Sequence, residues 1–345
     1  MSISFFKMLL ALFIGLFGSL IFIFLHLPLP WLMGSIFATS IAIRFEKIPI
    51  SSPKLFSSPA RILIGLAIGS AFTPEILKYI PQYTLSLLLV VPFTILVIFF
   101  GTYYYYKILK YDLKTSYLGS MPGGVIEMVI IGQELKANTS KITLMQSSRL
   151  FFVVVSLPFI IQYIFQIDIR GNQLLTTPLV NIDFKQFLIL YIFGIIGAIV
   201  AKKVKLTAAF LMGPMIVSII LYSTGTFNVA IPDEFLKFIQ VVFGVIIGFT
   251  FKGVPIKTIY KTLIATLGHF LILAILCIIF IAIIHFYLDF KTLDILLAFG
   301  PGGQTEINLI ALLVGANLPY ITLHHIVRLL IVMNIAPILA KRLKS

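Results

Sequence analysis

Long apolar runs separated by short polar loops make up most of the chain. Many of these runs approach or exceed the roughly 20 residues that an α-helix needs to cross a bilayer. The pattern predicts an all-α polytopic membrane protein with about 10–12 membrane segments. We place the segments at about 4–25, 30–43, 57–72, 80–106, 115–133 and 142–165, and then at 187–201, 207–222, 236–251, 260–288, 293–314 and 320–340.

The second half of the chain repeats the first. The motif Pro122-Gly123-Gly124-x-x-Glu127 recurs 179 positions later, without a gap, as Pro301-Gly302-Gly303-x-x-Glu306. The same offset pairs Asn138 with Asn317 and Arg149 with Arg328. We therefore predict two homologous membrane repeats, residues 1–165 and 187–345, joined by a polar linker at 166–186.

Whether the two repeats are parallel or inverted depends on how many segments cross the membrane. With five crossings per half and a cytoplasmic N-terminus, 16 of the assignable Lys and Arg residues lie inside and 5 outside, whereas six crossings give 14 and 7. Cytoplasmic loops carry an excess of Lys and Arg, so the charges favour inverted repeats. We expect both termini to be cytoplasmic, and the two Pro-Gly-Gly segments to be the broken or re-entrant ones.

The Pro-Gly-Gly tripeptides predict helix breaks inside the membrane. Pro122 and Pro301 lack a backbone N–H, and the glycine pairs Gly123-Gly124 and Gly302-Gly303 have low helix propensity. Each backbone group freed in hydrocarbon costs several kcal/mol unless protein, water or ligand satisfies it. Each break therefore predicts a cavity or a tightly packed crossing. Duplicated halves with broken helices are typical of transporters with a site near the bilayer midplane.

Glu127 and Glu306 are predicted to lie in the first turn of the half-helix that follows each break. One interpretation is capping, in which the carboxylate reaches back to free backbone N–H groups. The other is a coupling carboxylate that binds a proton or Na⁺ in the broken-helix site. The two roles are compatible. A resident carboxylate also favours a cation or proton over a bare anion at that helix end.

Arg149 and Arg328 lie inside apolar runs. A lone Arg at bilayer depth costs at least about 2.5–3.5 kcal/mol, so each needs a partner. Glu127 and Glu306 are the candidates, within a half or across the halves. A structural ion pair and a bidentate grip on a substrate carboxylate both remain open.

Two further pairs of polar residues follow the same offset. Gln146 and His325 stand three residues before each Arg and so share its helical face. Either could donate hydrogen bonds there, and His325 could relay protons. His324 points to a different face, so the two histidines do not form a metal site. Asn138 and Asn317, just before the last segment of each half, suit a turn or a helix cap.

Composition narrows the class of protein. Hydrophobic residues make up 60% of the chain and charged residues 11%, which excludes a soluble domain. The net charge of +14 comes from short basic clusters between apolar runs, so we expect no nucleic-acid partner. The single cysteine, Cys277, cannot form an internal disulfide. No ligand spacing predicts a metal or other cofactor.

The repeated Pro-Gly-Gly-x-x-Glu, followed by Asn and then an intramembrane Arg, resembles the AbrB membrane-protein family. The resemblance covers nearly the whole chain, with the residues Pro122, Gly123, Gly124, Glu127, Asn138 and Arg149 and their counterparts Pro301, Gly302, Gly303, Glu306, Asn317 and Arg328. Members are labelled AbrB family regulators or ammonia monooxygenases, and the family is grouped with cation–proton antiporter and anion-transporter superfamilies. The resemblance implies inverted repeats with broken crossing helices.

The leading functional hypothesis is a secondary transporter of the bacterial inner membrane that moves a small solute with a proton or Na⁺. Its site would lie between the two breaks and include the motif residues with Gln146, His325 and both arginines. A membrane-embedded regulator that acts indirectly on gene expression is the alternative. A membrane oxidase would require a metal, for which the sequence offers no ligand cluster. The protein is expected not to be an enzyme, and it could form a homodimer.

Overall fold

The computed structural model describes residues 3–169 and 177–343. Part of the predicted linker, residues 170–176, and Lys344 near the C-terminus lie outside the described residues. Within the described part, every regular element is helical, which confirms the all-α prediction. The helices are α1 (Ile3–Phe24), α2 (Pro30–Ala42), α3 (Lys54–Gly69), α4 (Pro74–Leu77), α5 (Thr84–Tyr103), α6 (Leu113–Ser120), α7 (Val125–Glu134), α8 (Thr139–Tyr163), α9 (Phe184–Lys203), α10 (Ala209–Ser223), α11 (Asp233–Gly248), α12 (Ile256–Leu288), α13 (Thr292–Phe299), α14 (Gln304–Leu313) and α15 (Leu318–Arg342).

Seven helical segments of the described chain are long and apolar enough to span a membrane. They are Ser4–Phe24, Ile80–Ile108, Thr139–Tyr163, Phe184–Lys203, Asp233–Phe251, Ile256–Leu288 and Leu318–Ala340. Two shorter apolar helices, Pro30–Ala42 and Ala209–Ser223, accompany them. The chain is therefore a multi-pass membrane protein. The inverted sense of the two halves stays a prediction.

Both Pro-Gly-Gly segments are broken helices. α6 ends at Ser120 and α7 begins at Val125, while α13 ends at Phe299 and α14 begins at Gln304. Each half-helix has only 8 or 10 residues. At 1.5 Å per residue, none of them alone crosses about 30 Å of hydrocarbon. The four-residue interruptions at 121–124 and 300–303 fall where proline and the glycine pairs disfavour a continuous helix.

The described chain forms two compact units, each built from segments of both halves. The first consists of Met1–Ile80, Pro158–Lys252 and Asn308–Pro319. In it, α3 packs on α10 and α2 packs on α11. A Cβ at Gly65 would collide with the backbone carbonyl of Leu211, and one at Gly244 would collide with that of Leu32. These two contacts are related by the 179-residue offset, and small residues permit such close helix approach in membranes.

The second unit consists of Pro81–Leu157, Gly253–Ile307 and Tyr320–Ser345. It contains both Pro-Gly-Gly breaks and both arginines. One buried apolar cluster of this unit joins α6, α7 and α8 of the first half to α15 of the second. Its members are Tyr117, Leu118, Met121, Met128, Ile142, Val332, Ala336 and Ala340. The candidate site is therefore built within a single unit from both halves of the sequence.

Candidate functional site

At the first break, the backbone carbonyls freed at the end of α6 are bound by two side chains of α8. The Arg149 guanidinium donates from Nη1 to the Met121 carbonyl at 2.6 Å and from Nη2 to the Gly123 carbonyl at 3.4 Å. Gln146 donates from Nε2 to the Leu118 carbonyl at 2.8 Å and to the Met121 carbonyl at 2.9 Å. Its Oε1 accepts from Arg149 Nη2 at 2.8 Å, which fixes the amide orientation. A cation at this position also complements the negative end of the α6 dipole.

The second break has the same arrangement, shifted by 179 residues. Arg328 of α15 donates from Nη1 to the Gly300 carbonyl at 2.7 Å and from Nη2 to the Gly302 carbonyl at 3.4 Å. His325 takes the place of Gln146, with Nε2 3.0 Å from the Leu297 carbonyl. A carbonyl oxygen can only accept, so Nε2 carries a proton and Nδ1 is the unprotonated nitrogen of the neutral ring.

These contacts change the expected role of the arginines. The sequence offered Glu127 and Glu306 as candidate partners of the two arginines, within a half or across the halves. In the described parts of the chain, however, the hydrogen bonds of Arg149 go to backbone carbonyls and Gln146, and its buried Nε has no acceptor. Arg149 and Arg328 are each only 4% exposed. Each arginine therefore satisfies the carbonyl side of its break and remains a buried positive charge.

The glutamates lie on the other side of each break. Glu127 and Glu306 are each the third residue of their half-helix, the position from which a capping-box glutamate reaches back. A Cβ added at Gly124 would collide with the Glu127 carboxylate, and one at Gly303 would collide with the Glu306 carboxylate. Gly124 has an ordinary extended backbone, with φ −68° and ψ 140°, so a glycine there makes room for the carboxylate and is not required by the backbone conformation. Capping and ion coupling both remain compatible with this position.

Each break also packs against the last helix of the other half. A Cβ at Gly123 would lie 3.0 Å from Cγ1 of Val332 on α15. A Cβ at Gly302 would lie 2.9 Å from Cγ1 of Val153 on α8, the residue equivalent to Val332. The two breaks are thus brought together, because each one contacts the last helix of the other half.

Comparison with known sequences identifies the family. The profile described as "Transition state regulatory protein AbrB" matches residues 31–344. The chain belongs to the AbrB family. Among curated relatives of this AbrB-family protein, the Bacillus subtilis (strain 168) "Uncharacterized protein YhjN" is 24% identical over 292 residues, covering 80% of this chain and 76% of that protein. The Escherichia coli (strain K12) "Putative regulator AbrB" is 23% identical over 327 residues, covering 94% and 92%. No solved structure gives a significant match.

The two asparagines flank the last helix of each half in this AbrB-family protein. The Asn138 side chain accepts a hydrogen bond from the Lys141 backbone N–H at 3.0 Å, so it caps α8. The Asn138 N–H in turn donates to the Thr115 hydroxyl on α6 at 2.9 Å. This second bond ties the start of α8 to the half-helix whose far end Arg149 holds. Asn317 immediately precedes α15.

Two buried polar groups of this unit were missed by sequence reasoning. His324, Ser86 and Tyr320 are fully buried and hydrogen-bonded to one another. His269 is also fully buried, and neither of its ring nitrogens has a hydrogen-bond partner among the residues described. Histidine within an apolar run was the available signal, but Ser86 lies 238 residues from His324. Across residues 3–169 and 177–343, no group of three His, Cys, Asp or Glu side chains is arranged to hold a metal.

Proposed function

We propose that this AbrB-family protein is a secondary transporter of a small solute, coupled to a proton or Na⁺. One observation carries the proposal. Two broken helices from the two halves are brought together in one compact unit, and each break is held by its own buried arginine. Irregular backbone at membrane depth is tolerated where it is buried in protein or lines a cavity, and transporters place their sites at such breaks.

The residues divide into two roles in this proposal. Arg149 and Arg328 keep the carbonyl ends of the breaks satisfied and provide fixed positive charge, which would attract a carboxylate or another anionic group of the solute. Glu127 and Glu306, at the opposite side of each break, would bind the coupling proton or Na⁺. Gln146 and His325 orient the same carbonyl ends. Movement of either half-helix would expose the site between the breaks, and the two halves would alternate in doing so.

We place the protein in the bacterial inner membrane with both termini in the cytoplasm, because the loop charges follow the positive-inside rule for inverted halves. The E. coli relative is named a regulator. A regulatory role would be compatible with transport, since solute flux can change gene expression indirectly. A regulator without transport would predict phenotypes from the basic loops and none from the glutamates.

The test is flux through purified protein in liposomes that contain a pH-sensitive dye. Gradients of Na⁺ and of small mono- and dicarboxylates are imposed in turn, and we expect at least one of them to drive proton movement. Glu127→Gln and Glu306→Gln should reduce this flux to that of empty liposomes. Glu134→Gln is the matched control, because Glu134 lies on the same short helix as Glu127 but is exposed. Normal flux in both glutamine variants would refute the proposal.

A further inference from the structure

Three side chains of the second unit form a closed hydrogen-bonded chain, and none of them belongs to the repeated motif. The Ser86 hydroxyl on α5 lies 2.6 Å from the Tyr320 hydroxyl and 2.8 Å from Nε2 of His324, both on α15. Nδ1 of His324 lies 2.7 Å from the backbone carbonyl of Tyr320. All three side chains are fully buried.

The chemistry of these groups fixes the direction of every hydrogen bond. The Tyr320 carbonyl can only accept, so Nδ1 of His324 carries the proton and Nε2 of the neutral ring accepts. Ser86 therefore donates its hydroxyl proton to Nε2. The Ser86 oxygen then accepts from the Tyr320 hydroxyl. The result is an ordered series of hydrogen bonds that runs from Tyr320 through Ser86 to His324, in which the unprotonated Nε2 of His324 is the basic group.

A buried carboxylate of α13 acts electrostatically on Tyr320, the first residue of the hydrogen-bonded chain. Asp294, which is 7% exposed, lies in the first turn of α13, three residues after Lys291 in the loop between α12 and α13. When a proton reaches the Tyr320 oxygen, the Tyr320 proton passes to Ser86 and the Ser86 proton passes to Nε2. One proton enters and His324 becomes a cation, with each hydroxyl neutral again.

The hydrogen-bonded chain ends at His324, which precedes the arginine of the second break on the same helix. His324 is four residues before Arg328, so the two side chains are neighbours on one helix. Arg328 is the residue that binds the Gly300 and Gly302 carbonyls. A positive charge on His324 would repel Arg328, and this repulsion is stronger in a buried site than in water. The charged and titratable groups that neighbour His324 on its own helix are Arg328 and Tyr320, and Asp294 on α13 acts electrostatically on Tyr320. His325 is adjacent in the chain but points to a different face.

We propose that the Tyr320–Ser86–His324 chain is a proton-binding relay that loosens the second break when His324 is charged. This inference rests on the proposed transport function and specifies the proton as the coupling ion. The first break has no equivalent relay, since the positions that correspond to Ser86, Tyr320 and His324 are occupied by Ala265, Lys141 and Met145. The first break therefore serves as an internal control.

The experiment measures how fast a thiol at each break reacts, and it needs no transported solute. In full-length protein carrying Cys277→Ser, Thr305→Cys reports on the second break and Val125→Cys on the first. The protein is reconstituted in liposomes, and a small thiosulfonate reagent is applied at a series of pH values. Each rate is divided by the rate of the same reporter with His324→Gln, which cancels the titration of the thiol itself.

On acidification, the ratio at Thr305→Cys should rise by about two- to threefold or more, the factor expected from like-charge repulsion at this spacing in a buried site. The ratio at Val125→Cys should stay constant. Ser86→Ala and Tyr320→Phe keep His324 but cut the relay, and both should abolish the rise. A constant ratio at Thr305→Cys would overturn the proposal, and so would an unchanged rise in the two relay variants.

Thermal unfolding of the same variants separates the relay from a structural lock between α5 and α15. A lock would lower the melting temperature of Ser86→Ala while the pH response stays intact, and that result also overturns the proposal. The outcome is independent of the flux assay. A pH response at Thr305→Cys without any solute-driven flux would reject the transporter and leave the proton relay standing.

Discussion

The guanidinium of Arg149 lies 2.6 Å from the backbone carbonyl oxygen of Met121, the first residue after α6. An arginine placed in an apolar run was expected to find a carboxylate. It binds the freed carbonyl end of a broken helix instead. Arg328 makes the same contact with Gly300 at 2.7 Å. Each hydrogen bond satisfies both a carbonyl that the helix break leaves free and a buried guanidinium. It therefore offsets part of the free-energy cost of the break and part of the cost of burying the charge.

Replacing either arginine by lysine should destabilise the protein. Lysine keeps the charge but cannot reach two carbonyls in the planar arrangement that a guanidinium offers. We expect Arg149→Lys and Arg328→Lys each to lower the free energy of unfolding by about 1.5–3 kcal/mol, the range for a hydrogen bond to a charged group. Denaturant unfolding in detergent measures this. Wild-type stability in both variants would mean that the carbonyls are satisfied in another way.

Much of the fold could be predicted from the sequence. The apolar runs place the long helices within a few residues, and Pro-Gly-Gly places both breaks. The position of Glu127 in the first turn after the break also follows, because helix propensity collapses at Gly124 and recovers at Val125. These features are local, so periodicity and propensity are sufficient to find them.

The partners of the key side chains could not be predicted. Every residue has a backbone carbonyl, so the sequence could not indicate that the carbonyl of Met121 would accept the hydrogen bond of Arg149. The contact of Gly123 with Val332 depends on tertiary packing between distant segments. The same holds for His324. Its partner Ser86 lies in another part of the chain.

The glycine before each half-helix should be required for the position of the glutamate. A Cβ at Gly124 would collide with the Glu127 carboxylate, the mobile end of a flexible side chain, so Gly124→Ala should displace the carboxylate and cost about 0.5–1.5 kcal/mol of unfolding free energy, as an off-rotamer side chain does. Most of this loss should disappear when Glu127→Ala is already present. A double-mutant cycle measured by denaturant unfolding gives the coupling. Additive effects would indicate that the carboxylate does not lie against Gly124.

The close helix packing of the first unit should be equally sensitive to an added methyl group in both halves of the chain. A Cβ at Gly34 would collide with the Gly18 carbonyl, and one at Gly213 with the Gly197 carbonyl, so backbone would have to move. Gly34→Ala and Gly213→Ala should each lower the free energy of unfolding by about 1–3 kcal/mol.

The matched controls for these glycine variants lie on the same two helices. Ile41 and Ile220 occupy equivalent positions and are 60% and 57% exposed. Their alanine variants should change the free energy of unfolding by less than about 0.5 kcal/mol. Equal effects of the glycine and isoleucine substitutions would contradict close backbone contact at Gly34 and Gly213.

The inverted sense of the two halves can be tested at a pair of exposed loop positions. Lys47 and Thr226 are separated by 179 residues and are both exposed, one after α2 and the other after α10. Inverted halves place these equivalent loops on opposite sides of the membrane. In the Cys277→Ser background, a membrane-impermeant maleimide should label Lys47→Cys only from the cytoplasmic side and Thr226→Cys only from outside. Labelling of both cysteines after permeabilisation controls for access. Labelling of both from one face would mean that the halves run in parallel, and it would contradict the proposal that the two halves alternate in exposing the site.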